Sequence, residues 1–186
     1  KEPVDLNGLI TRLEKFIRRI IGEDIQFETH LAKQPLRLLA DSHQLDQVLM
    51  NFATNARDAM PGGGLFSFTT QLVNIDQDFV DTHGFGQPGC YVQLTVTDTG
   101  KGMDQDTMSK IFDPFFTTKE MGKGTGLGMS VVYGIVMDHQ GHITVTSEPG
   151  KGTSFDLFLP LLDQQQVTLQ AHPVQDRPRT GAETIL

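Results

Sequence analysis

The residues with chemistry to do fall into two groups, one carboxylate beside a glycine turn and one polar stripe on a helical stretch. Asp98 closes a strand-like run, Tyr91 to Thr97, and Gly100 and Gly102 follow it in DTGKGM. A carboxylate accepts hydrogen bonds and donates none, which suits an exocyclic amine such as adenine N6 and suits a phosphate badly. Further on, Gly122, Gly124, Gly126 and Gly128 run directly into an apolar helical pattern. Unpaired N–H groups at a helix start, with no side chains in the way, attract an anion. One end of the stretch Asp98 to Ser130 therefore reads a base and the other a phosphate. Taken alone, Asp98 to Gly102 is ordinary Asp-x-Gly turn chemistry. The two complementary ends together favour a nucleotide.

Asn51, Asn55 and Asp58 are spaced by four and three positions, so a helix puts them on one stripe beside the apolar face of Leu45, Val48, Leu49, Phe52 and Ala56. Gln44 and Gln47 share that stripe, as they would on a solvated face, but helix formers serve such a face better than asparagines. An amide oxygen is a hard neutral ligand, suited to a Mg²⁺ that keeps most of its waters and takes other ligands from phosphate oxygens. Asn55 is the candidate metal ligand.

Composition narrows the classes. The 186 residues suit one domain with a trailing linker, and a start at Lys1 without Met reads as a fragment. A formal net charge of −8 with no basic run argues against nonspecific nucleic-acid binding. The single Cys90 excludes an internal disulfide or a cysteine-based zinc site and reads as a small apolar strand residue. Neither a signal peptide nor an apolar run of bilayer length is present, so the segment reads as soluble and cytoplasmic, whatever its parent chain does. There is no Gly-x-x-x-x-Gly-Lys-Ser/Thr loop, no dinucleotide Gly-x-Gly-x-x-Gly and no His-Arg-Asp signature. No His-Glu-x-x-His pair occurs, and His43, His83, His139 and His142 read as surface or helix-end residues.

The elements that must position these groups follow from periodicity. Asn7 is a cap for a first helix with Leu9, Ile10, Leu13, Phe16, Ile17, Ile20 and Ile21 at helical spacing, stopped by Gly22. Ile25 to Leu31 and Leu36 to Ala40 read as two short strands at a sheet edge. Asp41 or Ser42 caps a second helix running to Met60 and closed by Pro61-Gly62-Gly63-Gly64. Leu65 to Ile75 is a long strand, Asp76 to Gly89 a loop, and Asp104 to Ile111 a short helix. Phe112, Pro114, Phe115 and Phe116 read as core or, with the glycine-flanked loop after them, as part of a lid. Gly126 to His139 is the third helix, and Ile143 to Ser147 with Thr153 to Leu159 an alternating hairpin. Short connections imply an α+β fold: a two-layer sandwich in which three helices cover one face of a mixed, largely antiparallel sheet. Asp163 to Thr180 reads as linker.

Five stretches in order, NFATNARDAM (51–60), DTGKGM (98–103), FDPFFTTK (112–119), GKGTGLGMS (122–130) and SEPGKGTSF (147–155), resemble the successive boxes of the ATP-binding catalytic domain of bacterial sensor histidine kinases. The resemblance covers roughly residues 5 to 161 and implies the Bergerat sandwich shared with gyrase, heat-shock chaperone and mismatch-repair ATPases, with a domain over 1–162 and linker over 163–186. It also implies ATP and Mg²⁺ as ligands. Asn55 matches the Mg²⁺-binding asparagine and Asp98 the adenine-reading aspartate. Gly100 and Gly102 match the turn beneath the base, with Met103 beside it. Gly124, Gly126 and Gly128 match the phosphate-facing hinge, and Thr125, Leu127 and Met129 lie between and after them. Asp58, Phe112, Thr118 and Thr153 complete the nucleotide contacts that the resemblance implies. Asn51 stands where the gyrase and chaperone branches carry a water-activating glutamate, and an amide has no useful basicity at neutral pH, so hydrolysis should be slow.

Two positions depart from the family pattern. Many members carry Lys or Arg where Asp58 stands and Arg where Thr117 stands, which leaves Lys119 or Lys123 to neutralise phosphate. By resemblance, Asn51, Lys119 and Lys123 form the catalytic set. The acceptor histidine belongs to a dimerisation domain that would precede Lys1, in a homodimeric parent. Gly181 to Leu186 resembles the lead-in to a receiver domain, which would make the parent a hybrid kinase. A serine-phosphorylating switch kinase and a nucleotide-gated interaction module without transfer activity are the alternatives.

Overall fold

Helix α1 (Leu6–Ile21) forms because its apolar residues recur at helical spacing, and Leu6, Leu9, Ile10, Leu13, Ile17 and Ile21 are all buried. Phe16, expected on that face, is 62% exposed, because it sits one step outside the buried arc. The cap is Asp5 rather than Asn7: its carboxylate accepts the Asn7 N–H at 3.3 Å and the Leu36 N–H at 3.0 Å. Asn7 lies inside the first turn and works over a longer range. Its amide donates to the carbonyls of Ala32 and Gln34, and its oxygen accepts from the Thr70 hydroxyl. Gly22, at φ +86°, ends the helix as expected.

Helix α2 (Ser42–Ala59) is capped by Asp41, which accepts the N–H groups of His43 and Gln44. It buries Leu45, Val48, Leu49, Phe52, Ala53 and Ala56, which leaves the asparagine stripe on its flank. The third long helix spans Gly128–Asp138. It starts two residues later than expected, because Gly126 holds φ +67°.

The computed structural model describes residues 1–84, 86–119 and 124–162. In chain order the strands are β1 (Glu2–Asp5), β2 (Ile25–His30), β3 (Arg37–Ala40), β4 (Gly64–Ile75), β5 (Gly89–Asp98), β6 (His142–Glu148) and β7 (Gly152–Pro160). Five of them form one sheet in the order β2-β4-β5-β7-β6, in which only β2 and β4 are parallel. Register places Asp98 opposite Phe66 on one side and Thr153 on the other. The three long helices cover one face of this sheet around a core that includes Phe27, Phe52, Phe66, Phe68 and Phe155.

The remaining elements differ from the sequence reading. β3 does not join β2 at the sheet edge but pairs antiparallel with β1, an N-terminal strand the sequence did not suggest. The stretch expected as a loop after β4 contains a short helix, α3 (Gln77–His83), capped by Asp76. Its Phe79 and Val80 pack with Ile75, Tyr91 and Phe158, making a second small apolar cluster. Helix α4 (Gln105–Lys110) appears where expected, and the helix from Gly128 is α5. Cys90 is exposed on β5 rather than packed. His139 is buried at the end of α5; its Nδ1 donates to the Ile135 carbonyl and its Nε2 accepts the Asp41 N–H, joining α5 to the cap of α2. The expected linker from Asp163 lies outside the described residues.

Candidate nucleotide-binding site

Asp98 ends β5 with its side chain buried, and its Oδ1 accepts the Gly100 N–H at 2.8 Å. Burial pushes its carboxyl above the ordinary carboxylate range, against the smaller opposing effect of the Gly100 and Thr153 amides. A buried carboxylate with spare acceptor capacity is a strong receptor for an amine. Two positions of the turn after it admit only glycine. A Cβ on Gly100 would stand 2.7 Å from the Ala59 carbonyl oxygen, and one on Gly102, at φ +65°, would stand 2.0 Å from the Glu148 carbonyl oxygen. The Lys101 N–H donates to Ala59, and the Lys101 carbonyl accepts from Gly150, tying the turn to α2 and to the β6–β7 hairpin. Ser147, whose residue type and spacing carry no signal of a role, fastens the same turn. Its buried Oγ accepts the Met103 N–H at 2.8 Å, donates to the Gly152 carbonyl at 2.8 Å and lies 3.0 Å from the Thr153 hydroxyl.

A cavity of about 380 Å³ opens between α2, this turn and the start of α5. Of the residues singled out from sequence, Asn51, Asn55, Asp58, Asp98, Gly102, Met103, Thr118, Lys119, Gly124, Thr125, Gly126, Gly128, Met129 and Thr153 all line it. Three do not. Gly100 lies in the turn beside Ala59, Phe112 stacks on Tyr133 at 5.4 Å, and Leu127 is 37% exposed. Lys123 lies outside the described residues. The wall also includes Thr54, Arg57, Lys101, Thr107, Ile111 and Phe155, which the sequence reading did not select. Thr54, Arg57 and Lys101 lie within the motif stretches, Phe155 ends one and Ile111 precedes one, so motif position was a signal for all five.

Volume and a lining that mixes Met103, Ile111 and Phe155 with Asn51, Asn55 and Asp98 suit a nucleotide-sized ligand. Gly128 faces the asparagines: a Cβ there would meet Asn51 Oδ1 at 3.6 Å and Asn55 Nδ2 at 4.0 Å. Helix α5 has no side-chain cap, so its first amides are available to an anion in front of these two residues. Among the described residues no group of three or more His, Cys, Asp or Glu side chains could hold a metal. The asparagines facing the start of α5 fit a Mg²⁺ bound through one amide oxygen and phosphate oxygens.

The segment Phe112 to Lys119 is pinned at its base. The Phe115 N–H donates to the Gly126 carbonyl at 2.9 Å, and a Cβ on Gly126 would collide with the Phe115 backbone at 2.4 Å. Phe115 itself takes φ +67° and is 75% exposed, so it is not core. Lys119, expected at a phosphate, reaches across the cavity wall to Asp58, with Nζ 2.5 Å from Oδ2. Arg57 holds the other oxygen of that carboxylate, at 3.0 and 2.8 Å. Burial raises the Asp58 carboxyl, but the hydrogen bonds from Lys119 and Arg57 outweigh it and hold the group below the ordinary range.

Comparison with known proteins agrees with this geometry. Residues 40–163 match the family described as histidine kinase-, DNA gyrase B-, and HSP90-like ATPase. Sensor kinase CckA of Brucella abortus (strain 2308) is 43% identical over 166 residues, 89% of this chain and 18% of that protein. Sensor histidine kinase ZraS of Escherichia coli (strain K12) is 37% identical over 161 residues, 86% of this chain and 31% of that protein. The chain thus spans less than a third of the length of these curated relatives. Among solved structures, the mycobacterial sensor histidine kinase MprB superposes with a TM-score of 0.68 at 29% identity, covering 86% of this chain and 97% of that one. Full-length ShkA in complex with AMPPNP superposes with a TM-score of 0.64 at 28% identity, covering 86% of this chain and 30% of that one.

Proposed function

We infer how the site works from the family of its chain, which belongs to the histidine kinase-, DNA gyrase B-, and HSP90-like ATPases and is the ATP-binding catalytic domain of a sensor histidine kinase. The activity proposed for the parent protein is transfer of the ATP γ-phosphoryl group to a histidine on a dimerisation domain. One observation supports it above the others: a buried carboxylate suited to adenine and an uncapped helix start suited to phosphate open into one cavity.

Asp98 takes the exocyclic amine of adenine, with the turn of Gly100 and Gly102 beneath the base and Met103 beside it. Asn51 and Asn55 face the phosphates, and Asn55 supplies an amide oxygen to Mg²⁺. When bound there, Mg²⁺ would supply charge neutralisation at the phosphate oxygens. The amides around Gly126 and Gly128 hold phosphate without side chains in the way, and Lys119 adds a cation, with Lys123 a second candidate. Asn51 cannot take a proton from water, so ATP stays intact until the acceptor imidazole arrives. Transfer then rests on positioning and charge neutralisation supplied by this chain, while the nucleophile comes from the partner. Residues 1–162 form the catalytic domain and 163–186 a linker, in a homodimeric, cytoplasmically facing parent that passes phosphate on to a receiver domain.

Calorimetric titration with AMPPNP, with and without Mg²⁺ and against GTP, tests the site. Saturable, Mg²⁺-enhanced and adenine-selective binding is expected, and equal affinity for the guanine nucleotide would remove Asp98 from its role. Incubation with ATP and a histidine-bearing helical partner should then give an acid-labile phosphoprotein. Acid-stable label would favour a serine kinase, and binding without any label an interaction module.

A further inference from the structure

The contact between Asp58 and Lys119 joins two residues 61 positions apart that both line the cavity, and the way it is built shows which half of it can be exchanged. Asp58 uses its two oxygens separately. Oδ1 is held by two donors of the adjacent Arg57, and among the described residues Oδ2 takes Lys119. If the lysine leaves, the carboxylate keeps a charged partner and is not stranded, which removes the main cost of breaking such a pair. The lysine stem passes beside Gly124, where an added Cβ would stand 3.0 Å from the Lys119 Cδ, on a segment whose base is bound to Gly126 through the Phe115 N–H. Its backbone N–H is held by the Thr117 hydroxyl at 3.1 Å, so Lys119 can redirect its ammonium group while its backbone stays in place. The side chains are 30% and 25% exposed, so the pair is neither fully screened by solvent nor sealed from it.

We infer that Asp58 sets how strongly the site discriminates by phosphate number, by competing with the terminal phosphate of a bound nucleotide for the Lys119 ammonium group. This rests on the nucleotide reading above and adds a residue whose charge opposes the ligand. Adenosine reaches the Asp98 end and leaves the pair closed. A triphosphate reaches the asparagine end and takes Lys119 from Oδ2. Asp58 is thus a positioning residue acting through Lys119, and its carboxylate keeps the empty site from retaining other phosphate-bearing anions.

The test is a double-mutant cycle on the full 186-residue chain, using Asp58→Asn, Lys119→Met and both together, titrated with AMPPNP, ADP and adenosine in Mg²⁺. The expected result for Asp58→Asn is a rise of about tenfold in the ratio of AMPPNP to adenosine affinity, with a smaller rise for ADP. In the Lys119→Met background the same substitution should change that ratio by less than about twofold, within the usual non-additivity of unrelated sites. A ratio that stays constant or falls in Asp58→Asn, or one that rises equally with and without Lys119, overturns the inference while leaving the nucleotide site intact. If the unmutated chain binds none of the three ligands, the nucleotide reading and the inference fall together. Circular dichroism of each variant separates a lost contact from a lost fold.

Discussion

Asp98 carries opposite demands from folding and from ligand. Its carboxyl is raised by burial, so ionising it opposes folding: the stability it contributes is full below the ordinary value of 3.8 and is lost as pH rises through the folded-state value. An adenine amine needs the ionised acceptor, so nucleotide binding pulls the pKa back down. Binding at mildly acidic pH should therefore release protons, and affinity should weaken as pH falls through the raised value. Calorimetry in buffers of different ionisation enthalpy measures both, and proton uptake instead of release would contradict the assignment. Asp98→Asn should lower AMPPNP affinity by about 1–3 kcal/mol, the scale of an unsatisfied buried polar group. Gly102→Ala is a backbone lesion, because its Cβ would stand 2.0 Å from a carbonyl oxygen at φ +65°. It should destabilise the fold by more than about 1 kcal/mol, seen in urea unfolding, and abolish binding with it.

At the scale of elements, the same donors and acceptors decide where helices begin and which strands meet. Asp5 holds both the first turn of α1 and the Leu36 amide, so Asp5→Ala should cost about 1–2 kcal/mol in denaturant unfolding, more than an ordinary surface change. The sequence made α1, α2, β4, β5 and β7 legible because their periodicity is long and local. It misassigned the first cap because Asp5 and Asn7 are both good capping residues, and only the Ala32, Gln34 and Thr70 contacts draw Asn7 elsewhere. β1 was missed because four residues containing Pro3 carry no strand signal until β3 pairs with them. α3 was missed because its seven residues gain their stability from packing on Tyr91 and Phe158. The site divides likewise. Asn51, Asn55 and Asp58 were readable from spacing on one helix, whereas Lys119 on Asp58 and Ser147 on Met103 span 61 and 44 positions and leave no local trace. Ser147→Ala should raise the AMPPNP dissociation constant severalfold through the unpaired Met103 amide, and Ser147→Thr should restore much of it; equal affinity in all three would make the hydroxyl structural only.

For the molecule as a whole, the proposed function separates binding ATP from accepting its phosphate. Of six histidines, four have described side chains, and none of these lines the cavity. His139 is buried with both ring nitrogens in hydrogen bonds, and His142 starts β6, six residues from Glu148 beside the base turn, about 20 Å along an extended strand. His30 and His43 are exposed at the end of β2 and the start of α2. An imidazole must come within about 3–3.5 Å of the γ-phosphorus, in line with the leaving oxygen, for transfer. The chain alone should therefore bind ATP and gain stability from it, about 2.7 kcal/mol at a ligand concentration 100 times the dissociation constant, without acquiring label. Thermal unfolding with AMPPNP and acid-labile labelling with radioactive ATP read these two properties on the same sample. A ligand-dependent rise in Tm with no label, converted to label on adding a histidine-bearing helical partner, fits a domain that presents the γ-phosphate outward. Strong histidine labelling of the isolated chain would mean that a residue outside this cavity wall reaches the phosphate, and would overturn the division of labour between this domain and its acceptor.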